Sequence, residues 1–283
     1  MRILLISYSA QGFALLRGVC ERAGHVPVAC LHARSLRPGG PTRSGAGAVV
    51  GEIVDALPDG MDLLVPGRKA MLPHLVEGYR ADLIVCYGFP WKLPEAVLRA
   101  TRLGAVNVHT SLLPRYRGPL PVNWAIRNGD RETGVSVHWM ESEFDSGGIL
   151  AQEGGIMLAY DVVPPLLWEE VDRSVERLLP VALAGAAAGS PGSLQDEGAA
   201  TYAGWMEPGF SRIDWGHGRE TVHNQVRAVR FGSSGRSGPV AVVAGRPLRV
   251  LRTSLRPADG TEVVCGDGPV WITESVPVTD SET

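Results

Sequence analysis

Three residues near the middle of the chain have the types and spacing to do acyl chemistry: Asn107, His109 and Asp145. Asn107 and His109 end the run Ala105-Val106-Asn107-Val108-His109, and in an extended strand residues two apart project from the same face. Thr133 to Met140 reads as a second strand, running into an acidic loop from Glu141 to Asp145 that is closed by Ser146-Gly147-Gly148. A neutral amide, an imidazole and a carboxylate are therefore expected on two strand ends and their loops. The amide can hydrogen-bond a carbonyl oxygen as charge builds on it. The imidazole can take the proton of an attacking nitrogen, and the carboxylate can orient that ring and stabilise its charged form. Such a set suits transfer of an already activated acyl group to an amine, which needs no serine or cysteine nucleophile. Each of the three alone reads equally well as a strand cap or a turn; the combination carries the reading.

Between the two strands lies Ser111-Leu112-Leu113-Pro114-Arg115-Tyr116-Arg117-Gly118-Pro119, too broken by Pro and Gly for one regular element and read as a loop over the strand end. The ordered set Asn107-x-His109-x-Ser111-Leu112-Leu113-Pro114-x-Tyr116-Arg117-Gly118, then Thr133-Gly134-Val135 and Asp145-x-Gly147-x-Ile149-Leu150, resembles the signature of the 10-formyltetrahydrofolate-dependent formyltransferases. The likeness is tight over residues 82 to 152 and looser elsewhere. It implies that Asn107, His109 and Asp145 are the catalytic triad, with 10-formyltetrahydrofolate as formyl donor and no metal. It also implies a folate site made by the loop Tyr87-Gly88-Phe89-Pro90-Trp91 with Ser111, Leu113, Glu141 and Asp145. Gly88 would let backbone groups approach a flat heterocycle while Phe89 and Trp91 wall it. Arg115, Arg117 and Gly118, together with Trp124, are expected at the acceptor. The two arginines could hold an anionic part of either substrate, or equally make a structural salt bridge. Whether His109 or Asp145 removes the amine proton stays open.

Charge bears on the acceptor. The chain has 27 Lys and Arg against 30 Asp and Glu, a net charge of −3, whereas a partner as anionic as tRNA calls for a basic surface. From Glu207 onward there are nine Arg, no Lys and nine acidic residues. Pro121-Val122-Asn123-Trp124 resembles the small-molecule branch of the family more than the tRNA branch. The expected acceptor is thus a primary amine on a small molecule, an amino sugar nucleotide or an amino-acid-like intermediate. The alternatives are methionyl-tRNA and, from another class, a folate-binding regulatory protein without chemistry. Nucleic acid and membrane are not expected as partners, and the oligomeric state is left open, a homodimer among the options.

The elements that must position these residues read as an α/β protein. Arg2 to Tyr8 is a continuous apolar run, as in a strand covered on both faces; Ser9 to Arg22 carries Phe13, Leu16 and Cys20 at helical spacing; Val26 to Leu31 is a second strand. This βαβ unit predicts a doubly wound, mostly parallel sheet. Its first turn, Ser7 to Gly12, has one glycine and no G-x-G-x-x-G, so a dinucleotide is not expected. His32 to Gly47 reads as a loop with Arg34, Arg37 and Arg43, a solvated loop or a phosphate contact. Val49 to Leu57, Met71 to Arg80 and Pro164 to Ala188 read as helices, Asp62 to Val65 and Asp82 to Tyr87 as strands. His138 shares a strand face with Ser136 and Met140 and is read as structural or as support for the site.

Gly189 to Ser193 breaks the helical pattern, so a linker is expected over 190–205 between a catalytic domain, 1–189, and a smaller β-rich, barrel-like domain, 206–283. In the latter, Ile213-Asp214-Trp215 followed by His223-Asn224-Gln225-Val226-Arg227-Ala228 resembles the start of the family's C-terminal domain and implies a helix near Glu220 to Arg230; strands are expected at Val240 to Val243, Leu248 to Leu255, Thr261 to Cys265 and Val270 to Thr273. The stretch Phe231 to Gly238 departs from the family pattern and reads as flexible, as does the tail from Asp280. Cys20, Cys30, Cys86 and Cys265 have no metal-type spacing, and buried thiols in a reducing cytoplasm are expected. The N-terminal apolar run is too short for a signal peptide, and no stretch is long enough to span a membrane.

Overall fold

The computed structural model describes residues 1–36, 40–233, 235 and 237–278. Arg37, Ser234, Arg236 and the tail from Asp280 lie outside the described residues. The chain forms two compact units: Met1–Pro119 with Gly134–Gly154 and Val171–Tyr202, and Leu120–Thr133 with Gly155–Glu170 and Ala203–Thr283.

The first unit is built on a seven-stranded sheet: β1 (Arg2–Ser7), β2 (Val26–Leu31), β3 (Asp62–Leu64), β4 (Leu83–Tyr87), β5 (Ala105–His109), β6 (Glu132–Trp139) and β7 (Ile149–Met157). Their order is β3-β2-β1-β4-β5-β6-β7, parallel from β3 through β5, with β6 antiparallel to β5. Ile3 to Ile6 are fully buried. Leu4 and Ile6 join a core with Ile84, Cys86, Leu72, Val76 and Val97, while Ile3 and Leu5 point to the opposite face by alternation. Both faces are thus covered, which is why these strands are apolar throughout. α1 (Ala10–Arg22) starts at Ser9, whose side chain accepts from the Gly12 N–H at 3.0 Å, and it buries Phe13, Leu16, Val19 and Cys20. α2 (Ala46–Ala56), α3 (Leu72–Tyr79) and the one-turn α4 (Glu95–Arg99) follow, and α6 (Pro164–Ala187) buries Val171, Val175, Leu179, Ala182, Leu183 and Ala186 along one stripe.

Two strands of sequence evaded the periodicity reading. α4 is too short to show a helical period. β7 contains Glu153-Gly154-Gly155, which reads as a turn, yet the small residues are what let the strands pass Leu112: a Cβ at Gly134 would come within 2.4 Å of the Glu153 carbonyl and 2.7 Å of Leu112 Cδ2. The expected linker over 190–205 is also divided differently. Residues to Tyr202 stay with the first unit because they pair with it: Ile149 and Ser193 exchange two backbone hydrogen bonds of 2.8 Å, and Thr201 bonds the backbone at Pro114 and Arg117.

In the second unit, α5 (Pro121–Arg127) and α7 (Arg219–Gly232) accompany an open antiparallel sheet of β8 (Val240–Val243), β9 (Arg246–Ser254), β10 (Thr261–Cys265) and β11 (Gly268–Pro277), ordered β10-β11-β9-β8. Val226, Ala241, Val250 and Ile272 form its core with Ile213 and Trp215 packed on them. β8 and β10 end the sheet order, and the segment at Arg212 and Ile213 bridges β8 at Val240, so the domain is a curled half-barrel. Among the described residues no helix is long and apolar enough to cross a membrane.

Candidate active site

β5 ends beside β4 in the parallel part of the sheet, where carboxyl ends of strands gather ligand-binding loops. Its antiparallel partner β6 sets Asn107 opposite His138 and His109 opposite Ser136, so all four side chains share one face. Asp145 reaches the same place from the loop after β6. Asn107 Nδ2 lies 3.3 Å from both His138 Nε2 and Asp145 Oδ1. Asp145 Oδ2 accepts from the Gly118 N–H at 2.7 Å and lies 3.7 Å from His109 Nδ1, while Oδ1 is 3.4 Å from His138 Nε2. The three residues named from sequence are therefore brought together, and Gly118 joins them through its backbone.

Proton positions follow from the partners. His109 Nε2 faces the Tyr116 carbonyl at 2.8 Å and His138 Nδ1 faces the Trp139 carbonyl at 2.7 Å; carbonyls only accept, so both nitrogens carry hydrogen. The atoms left toward Asp145 are His109 Nδ1 and His138 Nε2. Burial pushes the His109 imidazole below its ordinary value, and the neighbouring His138 adds to this, against Asp145 and the Tyr116 carbonyl, which act the other way. Burial would raise the Asp145 carboxyl, but the His109 and His138 rings and the Gly118 N–H reverse that and hold it well below the usual carboxylate range. The site is a buried ionised carboxylate beside a ring that is neutral at pH 7.

The loop between β5 and α5 is tied down residue by residue. Ser111 Oγ donates to the Arg115 carbonyl at 2.7 Å, and Ser136 Oγ donates to the Ser111 carbonyl at 2.6 Å while receiving Gln152 Nε2 at 2.7 Å. Gln152 also reaches the Leu113 carbonyl at 3.0 Å. Ser111 and Leu113 are thus buried structural members of the loop floor. Arg115 is exposed, its guanidinium 4.9 Å from the Tyr116 ring centre and bonded to the Tyr116 hydroxyl at 3.0 Å. Arg117 is engaged by Gln195 and Glu197, the salt-bridge alternative read from sequence. Trp124 belongs to the second unit, where its indole N–H donates to the Gly204 carbonyl at 2.7 Å under the Arg127 guanidinium.

The loop after β4 turns at Gly88, whose φ of 76° is one that side chains disfavour and whose Cβ would meet Tyr8 at 3.2 Å. Phe89 and Pro90 remain half-buried; Tyr87 is half-buried and burial pushes its hydroxyl up. Trp91 is only 2 % exposed and its indole N–H donates to the Ser35 carbonyl at 2.9 Å, so it packs beneath the loop and leaves Phe89, 5.5 Å away, as the aromatic on the outer side. Glu141 is exposed at the start of the acidic loop. Among the described residues no group of His, Cys, Asp and Glu could hold a metal ion.

Sequence reasoning assigned His138 no direct part, yet it touches both Asn107 and Asp145; the alternation of β6 carried that signal. Gln195, which bonds the Asp145 loop from fifty residues away, has no sequence signal, because a single glutamine in a polar stretch shows no period.

Residues 1–164 match the Formyl transferase family model. Over 222 residues, 73% of this chain and 69% of the other, the chain is 36% identical to "Methionyl-tRNA formyltransferase" of Trichlorobacter lovleyi. Among solved structures, a sugar N-formyltransferase from Shewanella sp FDAARGOS_354 superposes with a TM-score of 0.65 at 17% identity, covering 92% of this chain and 99% of that one. HypX from Aquifex aeolicus in complex with tetrahydrofolic acid superposes with a TM-score of 0.62 at 21% identity over 99% of this chain, which spans 44% of HypX. The fold, the Asn-His-Asp cluster at the end of β5 and a family match over more than half its length place this chain in the formyl transferase family, as a 10-formyltetrahydrofolate-dependent enzyme.

Proposed function

We propose that this protein moves the formyl group of 10-formyltetrahydrofolate to a primary amine, and that the amine is the α-amino group of methionyl-tRNA. The observation that carries the transfer is the pairing of the ionised Asp145 with the buried His109, Nδ1 to Oδ2 at 3.7 Å. A base works best with a pKa near the working pH, and a carboxyl held far into the acid range binds a proton too weakly. The amine nitrogen attacks the formyl carbon, its proton passes to His109 Nδ1, and Asp145 stabilises the imidazolium so formed. Asn107 Nδ2, held by two long bonds, donates to the oxygen as charge develops there. Collapse of the tetrahedral adduct breaks the bond to the folate nitrogen, which takes the proton back. Tyr87, Gly88, Phe89 and Pro90, with Ser111, Leu113 and Glu141 nearby in the fold, form the folate site, and the HypX complex with tetrahydrofolic acid supports a folate on this fold. Arg115 and Gly118 face the acceptor in this reading.

The methionyl-tRNA acceptor rests on the sequence likeness to enzymes of that name; the small-molecule amine expected from sequence is the reading those relatives favour less. One observation keeps it as a second reading. Three arginines of the second unit are ion-paired within it: Arg127 pairs with Glu207 at 2.6 Å, Arg230 and Arg252 with Asp161, and Arg252 with Glu274 at 2.9 Å. Cations held in such pairs are less available to a phosphate backbone. Four buried free cysteines, three of them pushed up to about 12 by burial, suit a reducing cytoplasm.

The test is to mix the protein with 10-formyltetrahydrofolate and, separately, methionyl-tRNA, amino-sugar nucleotides and amino acids, and to follow formyl transfer by mass. Transfer to methionyl-tRNA, lost in His109→Ala, supports the first reading; transfer only to a small amine establishes the second. Formylation of none of them sinks both.

A further inference from the structure

We infer that Gln195 is a positioning residue for the formyl-transfer site, and that residues 195–201 form a strap holding the two strained turns on which the site depends. Gln195 Nε2 donates to the carbonyls of Asp145 and Gly147, both at 2.8 Å, and its Oε1 accepts from Arg117 Nε at 3.1 Å and Nη2 at 2.9 Å. A carboxamide has two donor hydrogens and two acceptor lone pairs, and all four are used. The assignment of its two ends is not free: two carbonyls on one side can only accept and a guanidinium on the other can only donate. Few side chains can bridge such a pair of partners, and neither an apolar residue nor a carboxylate can.

What Gln195 grips is a backbone that would otherwise relax. Asp145 has φ of 54°, in the left-handed region that costs a non-glycine residue about 1–2 kcal/mol. Its peptide carbonyl and that of Gly147 are the two that Gln195 pins, so the amide fixes the turn that leaves the carboxylate-bearing residue. Tyr116, whose carbonyl receives the His109 Nε2–H, has φ of 62°. Its own N–H is held by Thr201 Oγ1 at 2.8 Å, and the Arg117 N–H by the Thr201 carbonyl at 2.9 Å. Thr201 therefore steadies the partner of His109 while Gln195 steadies Asp145, and Arg117 joins the two, its N–H on Thr201 and its guanidinium, only 12 % exposed, on Gln195. The strap sets the 3.7 Å gap between His109 Nδ1 and Asp145 Oδ2 without touching either group or the substrate. The catalytic part of this inference rests on the function proposed above; the geometric part does not.

The experiment uses the full chain labelled with ring-¹⁵N histidine. Gln195→Met keeps the length and the packing and removes the amide; Gln195→Glu keeps an oxygen for Arg117 but sets a carboxylate oxygen against two carbonyls; Leu194→Ala, at a neighbour 93 % exposed, is the control. The ring-nitrogen resonances of His109 and His138 are expected to move at pH 7 in both Gln195 variants, more in Gln195→Glu, while those of the other five histidines stay, and Leu194→Ala moves none. With the acceptor found in the transfer assay, kcat should fall at least ~10-fold while the KM for the folate changes by less than ~3-fold, as expected when a reacting pair is misplaced but the binding surface is not. Unchanged His109 and His138 resonances in Gln195→Met overturn the inference, and so does an unchanged kcat. If the wild-type protein formylates nothing, the functional reading fails and the resonances still decide the inference. Should Gln195→Glu fail to fold, Gln195→Met alone decides it.

Discussion

Two buried histidines, one in each unit, differ by what stands next to them. His109, in the first unit, is 5 % exposed and faces a carboxylate; His223, in the second, is 3 % exposed and pairs with no carboxylate among the described residues. His223 Nδ1 bonds Thr253 Oγ1 at 2.8 Å, its ring stacks on Tyr160 with centres 4.4 Å apart, and its Nε2 is buried without a partner among the described residues. Burial, reinforced by the charge of Arg227, pushes its pKa down to about 4. Burial lowers His109 as well, but Asp145 pulls the other way. Desolvation alone makes an imidazole inert; desolvation beside a fixed anion makes it a base whose charged form has a partner.

The largest break in this comparison is His109→Gln, which removes the base and should lower kcat by ~10²–10⁴-fold with folate binding kept. His223→Gln should leave kcat within ~2-fold in the same assay; a comparable loss there would mean the second unit does chemistry. Next comes Asp145→Asn, which keeps the shape and removes the charge. The wild-type acid limb of kcat/KM should fall below the ordinary histidine value of 6.5, because His109 works neutral and its pKa is lowered. In Asp145→Asn the limb should move further toward acid while the rate drops, since the group that raises His109 is gone; a limb that moves up would refute the pairing.

A smaller effect sharpens the other half. His223 binds a proton near 6.5 when unfolded and only near 4 when folded, so between those values the unfolded state carries the extra proton and stability falls as the pH is lowered. The fall from 6.5 to about 4 corresponds to about 3 kcal/mol, and His223→Phe should flatten urea-measured stability across that window. Smallest is Thr253→Val, which leaves His223 Nδ1 without its partner and should cost about 1–3 kcal/mol at pH 7 with no change in kcat.

Much of this is legible in the amino-acid sequence. The apolar runs of β1 and β4 announce strands buried on both faces, α1 falls within a residue of where its periodic apolar positions put it, and α7 within two residues of the span that the family resemblance implies. Asn107 and His109 could be paired from alternation alone. β7 could not be read, since its Gly154-Gly155 pair resembles a turn until Leu112 is known to pack against it. Trp91 looked like a ligand wall because sequence does not show which aromatic of a loop points inward.

The sequence by itself determined the chemistry available here: an amide and an imidazole on one strand face, a carboxylate one strand later, and a family signature joining them. Side-chain type and strand period are local properties, so they survive in one dimension. Tertiary structure alone decided the protonation of that set, because burial and the 3.7 Å approach of Asp145 to His109 depend on chain segments far apart in sequence. It also decided that Arg117 answers to Gln195 and Glu197, and that residues read as a linker are a strap on the Asp145 turn. A hydrogen bond between residues fifty positions apart has no period and no composition; only the folded chain brings its two ends together.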